Sequence, residues 1–442
     1  MTDHPNSVSA DSDLEASVIR TLTRRLIPFL FLLYIVAYLD RINVGFAALQ
    51  MQQELHFDDA VYGFGAGVFF AGYFLFQVPS NLALERFGAK RWIALLMITW
   101  GVISACMALT RTPRSFYVLR FLLGSAEAGF FPGVILYLKA WFPAVARART
   151  VARFMTASPL SGVIGGPISG LLLNMHGTTG LSGWQWLFLL EGIPAVVLGG
   201  VVLLYLTNRP KDATWLSDEQ REWLLRSLRS EAQRAATGAH KFSAFGSVRI
   251  WMLCFIYFGL NTVSYGISMW LPNLIKSASG GSNFFIGMLS VVPYLAAAIA
   301  MVIVGLHSDR TGERRWHLAI PAFVGAIGLL AAAESSSTLV LIVAISIGSL
   351  GVQSMLGPFW AIPTTFLAGS AAAVGIALIN SVGNLGGFFG PAIIGFVRRE
   401  TGGFSGGLMV IGATLALAGC VALAVRVKES SPEGVAVPDL KR

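Results

Sequence analysis

The feature that most limits how this chain folds is a series of twelve apolar runs. Each run is about 20 residues long, the length of a helix that crosses ~30 Å of hydrocarbon. Of the 442 residues, 55% are hydrophobic and only 12% are charged, too few charged residues to cover the surface of a soluble protein. We therefore predict an all-α integral membrane protein with twelve transmembrane helices. The predicted runs are 26–49, 60–84, 92–110, 115–138, 151–173, 185–207, 250–275, 284–306, 316–333, 338–366, 371–397 and 405–425.

An internal repeat divides the chain into two halves. Arg86 and Arg310 lie in two similar loop segments 224 residues apart, and Gly166-Pro167 and Gly390-Pro391 share this offset of 224. Two unrelated motifs with one offset indicate a duplication of six helices in pseudo-symmetric halves. The repeat favours twelve helices over eleven or thirteen, which the weak separation of runs nine and ten leaves open. The predicted domains are a cytoplasmic tail at 1–25, a six-helix bundle at 26–207, a linker with an amphipathic helix at 208–249, a second bundle at 250–425 and a tail at 426–442.

The basic residues indicate how the helices are oriented. Lys and Arg cluster in the loops on the side of both termini, whereas the opposite loops contain only Arg111, Arg114, Lys276, Arg398 and Arg399. Because cytoplasmic loops are enriched in Lys and Arg, both termini are expected in the cytoplasm, with the protein in the cell inner membrane. The same distribution explains the formal net charge of +9, so we expect contact with membrane lipid and no nucleic-acid partner.

Four charged residues inside apolar runs are the main candidates for a functional site. Asp40 and Arg41 lie in the first run, and Arg120 and Glu127 lie in the fourth. A charge at the bilayer centre costs between ~3 and ~15 kcal/mol on different scales, so such residues are expected to face a cavity or one another. Arg120 and Glu127 are seven residues apart and therefore share one face of a helix, whereas Asp40 points about a quarter-turn away from Arg41. This pattern favours the centre of a solute transporter.

The two arginines favour an anionic substrate. Arginine is always protonated, and its planar donors suit a carboxylate, so Arg41 and Arg120 are predicted to bind a small organic anion. Asp40 and Glu127 can titrate, and a substrate that neutralises an arginine favours proton uptake on a neighbouring acid. The coupling ion is therefore expected to be the proton. Static ion pairs that brace helix packing are the structural alternative.

On these residues the chain resembles the major facilitator superfamily, and within it the anion:cation symporter family. The superfamily pattern acid-Arg-x-Gly-x-(Lys/Arg)-Arg is present at 85–91 and 309–315. The segments that resemble the symporter family are YLDRINVGFA at 38–47, YFLFQVPSNLALERFGAKR at 73–91, RFLLGSAEAGFFPG at 120–133 and WLFLLEGIPA at 186–195. The resemblance implies proton-coupled import of a small carboxylate such as a sugar acid, tartrate or an aromatic acid. In that family the matching arginines bind substrate and the matching acids carry protons.

Three further residues are assigned to substrate binding. Tyr38 and Tyr73 match family tyrosines that meet the substrate, with packing in the core as the alternative. Asn384 carries an amide in the glycine-rich part of run eleven, where only a cavity-facing polar group is tolerated, and Asn380 in the same segment is the alternative. Glu191 in run six stays unassigned, with a structural role favoured.

The two loop motifs are predicted to act as gates. Each lies at a cytoplasmic helix end, where an acid, an arginine and helix termini can make contacts that differ between the inward-open and outward-open states. The gating residues are Glu85, Arg86, Gly88, Arg91, Asp309, Arg310, Gly312 and Arg315.

Other functions fit the sequence less well. Six histidines are scattered over loops and helix ends, and three cysteines show no metal-ligand spacing, so we expect neither an enzyme nor a metal site or cofactor. An anion exchanger and a drug–proton antiporter on the same fold are the alternatives to symport. Two arginines in the cavity favour an anion over a lipophilic cation. We expect the transporter to be a monomer.

Overall fold

A computed structural model describes residues 5–236, 246–366 and 369–425. Within these ranges the chain is helical, without a strand, and contains twelve helices long and apolar enough to cross a membrane. The prediction of twelve spanning helices is thus confirmed. They are α1 (Asp13–Glu54), α2 (Asp59–Phe87), α3 (Ala89–Leu109), α4 (Pro113–Trp141), α5 (Arg153–Leu173), α6 (Gly183–Tyr205), α7 (Val248–Ser279), α8 (Asn283–Thr311), α9 (Trp316–Ala333), α10 (Thr338–Pro363), α11 (Val374–Thr401) and α12 (Ser405–Ala424).

The spanning helices form two bundles of six. In the N-terminal half α3 packs along α6 and α2 along α4, and in the C-terminal half α9 packs along α12 and α7 along α11. The halves meet where α5 contacts α8, α2 contacts α11 and α1 contacts α7. We call the side of the membrane that carries the chain between α6 and α7 the linker face, and the side that carries the α1–α2 loop the distal face.

The first helix is longer than its apolar run. Residues 13–25, predicted to be part of a tail, continue α1 instead, and the helix begins at Pro5. Val18 and Leu22 of this extension are fully buried. An amphipathic helix can continue beyond the bilayer where its apolar side finds a protein surface, and here the linker supplies that surface.

The linker packs on the N-terminal half. Its amphipathic helix, predicted from the sequence, is present at Asp218–Ala236 and buries Leu224 completely. Gln220 donates a hydrogen bond of 3.0 Å to the Ser17 hydroxyl of the α1 extension. The apolar side of the linker helix contacts protein. Contact of this helix with lipid therefore stays a prediction, and it can involve only the side of the helix that faces away from the protein.

Four of the spanning helices, α4, α5, α10 and α11, are interrupted within the described residues, and the breaks in α4 and α11 adjoin predicted site residues. The regular helix of α4 stops at Glu127 and resumes at Phe130, and that of α11 stops at Asn384 and resumes at Gly386. Irregular backbone at membrane depth is tolerated only where protein or a cavity surrounds it. Glu127 and Asn384 are both buried, in agreement with that requirement.

Close helix contacts bring the two halves together on the distal side. Gly166 of α5 lies against Gly287 of α8, so that a Cβ atom on Gly166 would be only 2.5 Å from the carbonyl oxygen of Gly287. Small residues allow such close approach of helices in a membrane. Any larger side chain at this crossing must push α5 and α8 apart.

Polar contacts join the halves at the distal face itself. Arg398 of α11 forms an ion pair of 2.9 Å with Asp59 of α2, and Asn273 of α7 donates a hydrogen bond of 3.0 Å to Gln52 of α1. The structure is therefore closed on the distal face.

We predict that Gly166→Leu shifts the protein toward a conformation open on the distal face, because the added side chain meets the backbone of α8. Spin labels on the distal ends of α5 and α8, in a background without the three native cysteines, should report a longer mean distance. The matched control is Gly305→Leu on α8, because nothing lies within 4 Å of a Cβ atom added at Gly305. An unchanged distance in Gly166→Leu would contradict this account of closure.

Candidate functional site

Arg41 and Glu127 form a buried ion pair between α1 and α4. The Arg41 Nη2 and Nε atoms donate to Oε2 of Glu127 at 2.9 and 3.2 Å, and the second carboxylate oxygen of Glu127 has no partner among the described residues. Arg41 Nη1 also donates to the hydroxyl of Tyr265 on α7 at 3.2 Å. Arg41 therefore contacts both halves of the protein, and its carboxylate partner comes from the N-terminal half.

Arg120 is a fully buried cation that has no acidic partner among the described residues. Its Nη2 atom donates to the carbonyl oxygen of Ala66 at 3.1 Å and lies 4.0 Å from the sulfur of Met269 on α7. The Nε and Nη1 atoms make no hydrogen bond within the described parts of the chain. A buried charge without a counter-ion is strongly destabilising. The arrangement therefore favours an anionic ligand that reaches these two nitrogens.

The two arginines lie over one aromatic ring. The guanidinium carbons of Arg41 and Arg120 are 5.4 and 4.9 Å from the ring centre of Phe69, and Arg41 also lies 5.3 Å from the ring of Tyr73. Cation–π attraction helps to hold both guanidinium groups without neutralising them. The shared ring places the two cations at most about 10 Å apart, close enough for one small dicarboxylate to reach both.

Asp40 lies away from the arginines, inside the N-terminal half. It is fully buried, accepts a hydrogen bond of 2.8 Å from Ser104 and another of 3.2 Å from Trp100, and is not within ion-pair distance of a described cation. Ser104 and Trp100 belong to α3, so Asp40 faces that helix. Of the two acids that we predicted to titrate, only Glu127 contacts an arginine in this conformation.

The predicted tyrosines are buried near Arg41. Tyr73 lies beneath its guanidinium group, and Tyr38 packs edge-to-face against Tyr34 with ring centres 6.4 Å apart. Sequence reasoning missed Tyr265, which bonds to Arg41. The internal repeat could have identified it, since Arg41 and Tyr265 are separated by 224 residues, the offset of the two halves.

Asn384 is buried at the break of α11 and makes no hydrogen bond among the described residues. Its neighbour Gly383 packs directly on Tyr257 of α7. The structure shows no contact of Asn384 with either arginine, so its role as a ligand stays a prediction. Glu191 of α6 accepts a hydrogen bond of 2.8 Å from Ser169 of α5, a contact within the N-terminal half.

The first loop motif lies on the linker face and is largely exposed. Glu85, Arg86 and Arg91 have exposed side chains, and Gly88 adopts a positive φ of 85° that favours glycine. The backbone N–H of Lys90 donates to the side chain of Asn208 at 3.0 Å, which holds the motif against the end of α6.

The second loop motif uses an arginine that we had not assigned. Asp309 pairs with Arg314 at 2.7 Å, while Arg310 and Arg315 are exposed and Gly312 has a positive φ of 69°. In the described structure neither motif reaches the opposite half, so gating by these residues stays a prediction.

Glu313 fixes the start of α9 beside this second motif. Its carboxylate accepts hydrogen bonds from the backbone N–H of Trp316 at 2.8 and 3.0 Å and contacts the His317 ring at 2.8 Å. Burial alone would raise the pKa of Glu313, but these hydrogen bonds prevail and hold its pKa below the usual range.

Comparison with known proteins identifies the family of this chain. The sequence profile of the Major Facilitator Superfamily matches residues 30–391 and 253–439. The chain belongs to the Major Facilitator Superfamily. It is 49% identical over 425 residues to a "Putative tartrate transporter" of Agrobacterium vitis, covering 96% of this chain and 94% of that protein. It is 44% identical over 398 residues to a "Quinolone resistance transporter" of Acinetobacter baumannii, covering 90% and 92% of the two chains.

The fold agrees with this assignment. The xylose transporter XylE from Escherichia coli, in a partially occluded inward open conformation, superposes with a TM-score of 0.75 at 14% identity, over 94% of this chain and 99% of that one. The relatives of this Major Facilitator protein are named transporters, which agrees with the expectation of a transporter instead of an enzyme and with the resemblance to anion:cation symporters.

We predict that the Arg41–Glu127 pair shows strong coupling in stability. Arg41→Gln or Glu127→Gln alone leaves a buried charge without its partner, which costs about 3–5 kcal/mol in comparable cases. The double variant removes both charges, so its loss of stability should be much smaller than the sum of the losses in the two single variants. Thermal melting of the four purified proteins in detergent measures this coupling, and strictly additive losses would show that the two side chains do not act as a pair.

Proposed function

We propose that this protein imports a small organic carboxylate by proton symport with alternating access. The observation that carries the proposal is Arg120, a buried cation where α2 and α4 face α7, two of whose nitrogens have no partner in the part of the chain that the structure describes. A permanent structural role would leave that charge uncompensated, whereas a bound carboxylate neutralises it through the planar donor fork.

The second arginine supports binding of an acid with a further anionic or polar group. Arg41 lies within about 10 Å of Arg120 and is bonded to Glu127 and Tyr265. A compact dicarboxylate reaches both guanidinium groups. The 49% identical protein named a putative tartrate transporter is consistent with such an acid.

Coupling between substrate and proton follows because the substrate carboxylate and Glu127 compete for Arg41. When a substrate carboxylate binds Arg41, Glu127 loses its ion-pair partner while it stays buried, and a buried carboxylate without a cation favours the protonated form. Substrate and proton then bind together. By linkage, the affinity for substrate rises as the pH falls, because the complex holds more protons than the free protein. We assign Asp40, bonded to Ser104 and Trp100, as a second titrating acid.

The distribution of basic residues supports the orientation. With Lys and Arg concentrated on the linker face, that face and both termini lie in the cytoplasm, and the membrane is the cell inner membrane. In this orientation the Asp59–Arg398 ion pair closes the side of the protein away from the cytoplasm, so the described conformation is inward-open. In the outward-open state the two loop motifs on the linker face close the cytoplasmic side.

Drug–proton antiport is the second candidate, favoured by the 44% identical relative named for quinolone resistance. Antiport of a lipophilic cation requires an acid free to receive the cation. In the described structure Glu127 is instead bonded to Arg41, and Asp40 is bonded to Ser104 and Trp100 of α3, away from the arginines. The nearby Arg120 would also repel a cation. These charges therefore support an anion as substrate.

We expect tartrate, a sugar acid or an aromatic acid to raise the melting temperature of the purified protein, because ligand binding stabilises the folded state. Arg120→Gln should abolish this shift. Arg114→Gln, an exposed residue at the start of the same helix, is the matched control and should keep it. Stabilisation by lipophilic cations alone would reject import of an acid in favour of the antiporter.

We expect Glu127→Gln to uncouple transport from the proton gradient, because glutamine cannot take up a proton. Vesicles containing this variant should exchange labelled for unlabelled substrate across the membrane but should not accumulate substrate when the outside is made acidic. Glu334→Gln, an exposed residue at the end of α9, should accumulate it normally. Proton-driven accumulation by Glu127→Gln would show that another group carries the proton.

A further inference from the structure

A small cavity lined by both polar and apolar side chains lies in the C-terminal half, between α7, α8 and α10. Its volume is about 20 Å³, enough for one water molecule or one hydroxyl group but not for a ring. Its lining includes no charged residue. The polar side chains that line it are Ser264, Ser268, Tyr294, Ser349 and Gln353.

Two of these side chains make no hydrogen bond to another described residue. Gln353 is 8% exposed and Ser349 is 9% exposed, and within the described residues neither side chain makes a hydrogen bond, although an amide carries two donors and an acceptor. Buried polar groups are normally hydrogen-bonded. Ser349 and Gln353 are four residues apart on α10 and therefore point to the same side. The cavity thus offers donors and acceptors that no described residue bonds.

The lining of the cavity includes neighbours of Tyr265, the α7 residue that bonds to Arg41. Ser264 and Ser268 flank Tyr265 on α7, and Tyr265 accepts the hydrogen bond from Arg41. Tyr294 of α8 packs against Gly162 of α5 in the opposite half. The cavity therefore begins beside the interface between the halves, where a substrate bound to Arg41 extends toward the C-terminal half.

The internal repeat shows how the two halves differ in chemistry. With the offset of 224 residues, Asp40 and Arg41 correspond to Ser264 and Tyr265. The N-terminal half thus has a buried acid and base at positions where the C-terminal half has two hydroxyl groups. The charged half suits a carboxylate, and the neutral polar half suits an uncharged group that both donates and accepts hydrogen bonds.

We propose that this cavity is the subsite that recognises a hydroxyl group of the substrate. The inference rests on the proposed function and narrows it, since it identifies the substrate as a hydroxylated carboxylic acid and not an aromatic one. Gln353 and Ser349 bond the hydroxyl group while Arg41 and Arg120 bind the carboxylate. A site built to bond a hydroxyl group discriminates against the analogue that lacks it, because its own polar groups are then left unpaired.

The test compares acids with their deoxy counterparts: tartrate with succinate, and gluconate with hexanoate. Calorimetric titration of the purified wild-type protein should show at least about 10-fold tighter binding of the hydroxylated member of one pair. Gln353→Met and Ser349→Ala should each lower the affinity for that hydroxylated acid by about 3–10-fold, which corresponds to the loss of one hydrogen bond. The affinity for its deoxy counterpart should not change. Ser346→Ala is the matched control on α10, because the Ser346 hydroxyl bonds to the carbonyl oxygen of Ile342 in its own helix.

Each outcome separates the subsite from the proposed function. Equal affinity of the wild-type protein for both members of each pair leaves the carboxylate site in place and refutes the hydroxyl subsite. Equal losses for hydroxylated and deoxy acids in Gln353→Met and Ser349→Ala also refute it, because the two side chains then serve only the structure. If no acid binds but lipophilic cations do, the proposed function and the subsite both fail.

Discussion

The structure depends on an imbalance of buried charge in the N-terminal half. Arg41 is paired with Glu127, whereas Arg120, over the same Phe69 ring, has no acidic partner among the described residues. In a low-dielectric interior such an imbalance is costly, and under the proposed function a bound anion relieves it. A carboxylate that binds there also competes for Arg41, which changes the environment of Glu127. Under the proposed function, substrate binding and proton binding are linked through this one guanidinium group.

The imbalance of buried charge lies in one of two halves that arose by duplication of six helices. The halves repeat with an offset of 224 residues, but the pair Asp40–Arg41 corresponds to Ser264–Tyr265. The contact of Arg41 with Tyr265 therefore joins two corresponding positions, one charged and one neutral. A substrate held between the halves meets charges on one side and hydroxyl groups on the other. Because Arg41 and Arg120 also contact α7, the same ligand can influence how the halves approach each other.

The sequence was sufficient for features that depend on composition and spacing. The apolar runs predicted the twelve spanning helices because helix length is set by bilayer thickness, and the buried charges were identified because they are rare in such runs. The choice of partners could not be predicted. Glu127 is two turns from Arg120 in sequence, yet its carboxylate meets Arg41 of another helix. The α1 extension was missed because its apolar side faces the linker, a contact between segments some 200 residues apart.

The most direct test is infrared difference spectroscopy of the purified protein as the hydroxylated acid is added at neutral pH. The account predicts a new band of a protonated carboxylic acid in the wild-type protein, which arises as the substrate displaces Glu127 from Arg41. The band should be absent in Glu127→Gln. Binding that leaves the carboxylic-acid bands of the wild-type protein unchanged would show that Glu127 keeps its charge, and would contradict the linkage between substrate and proton.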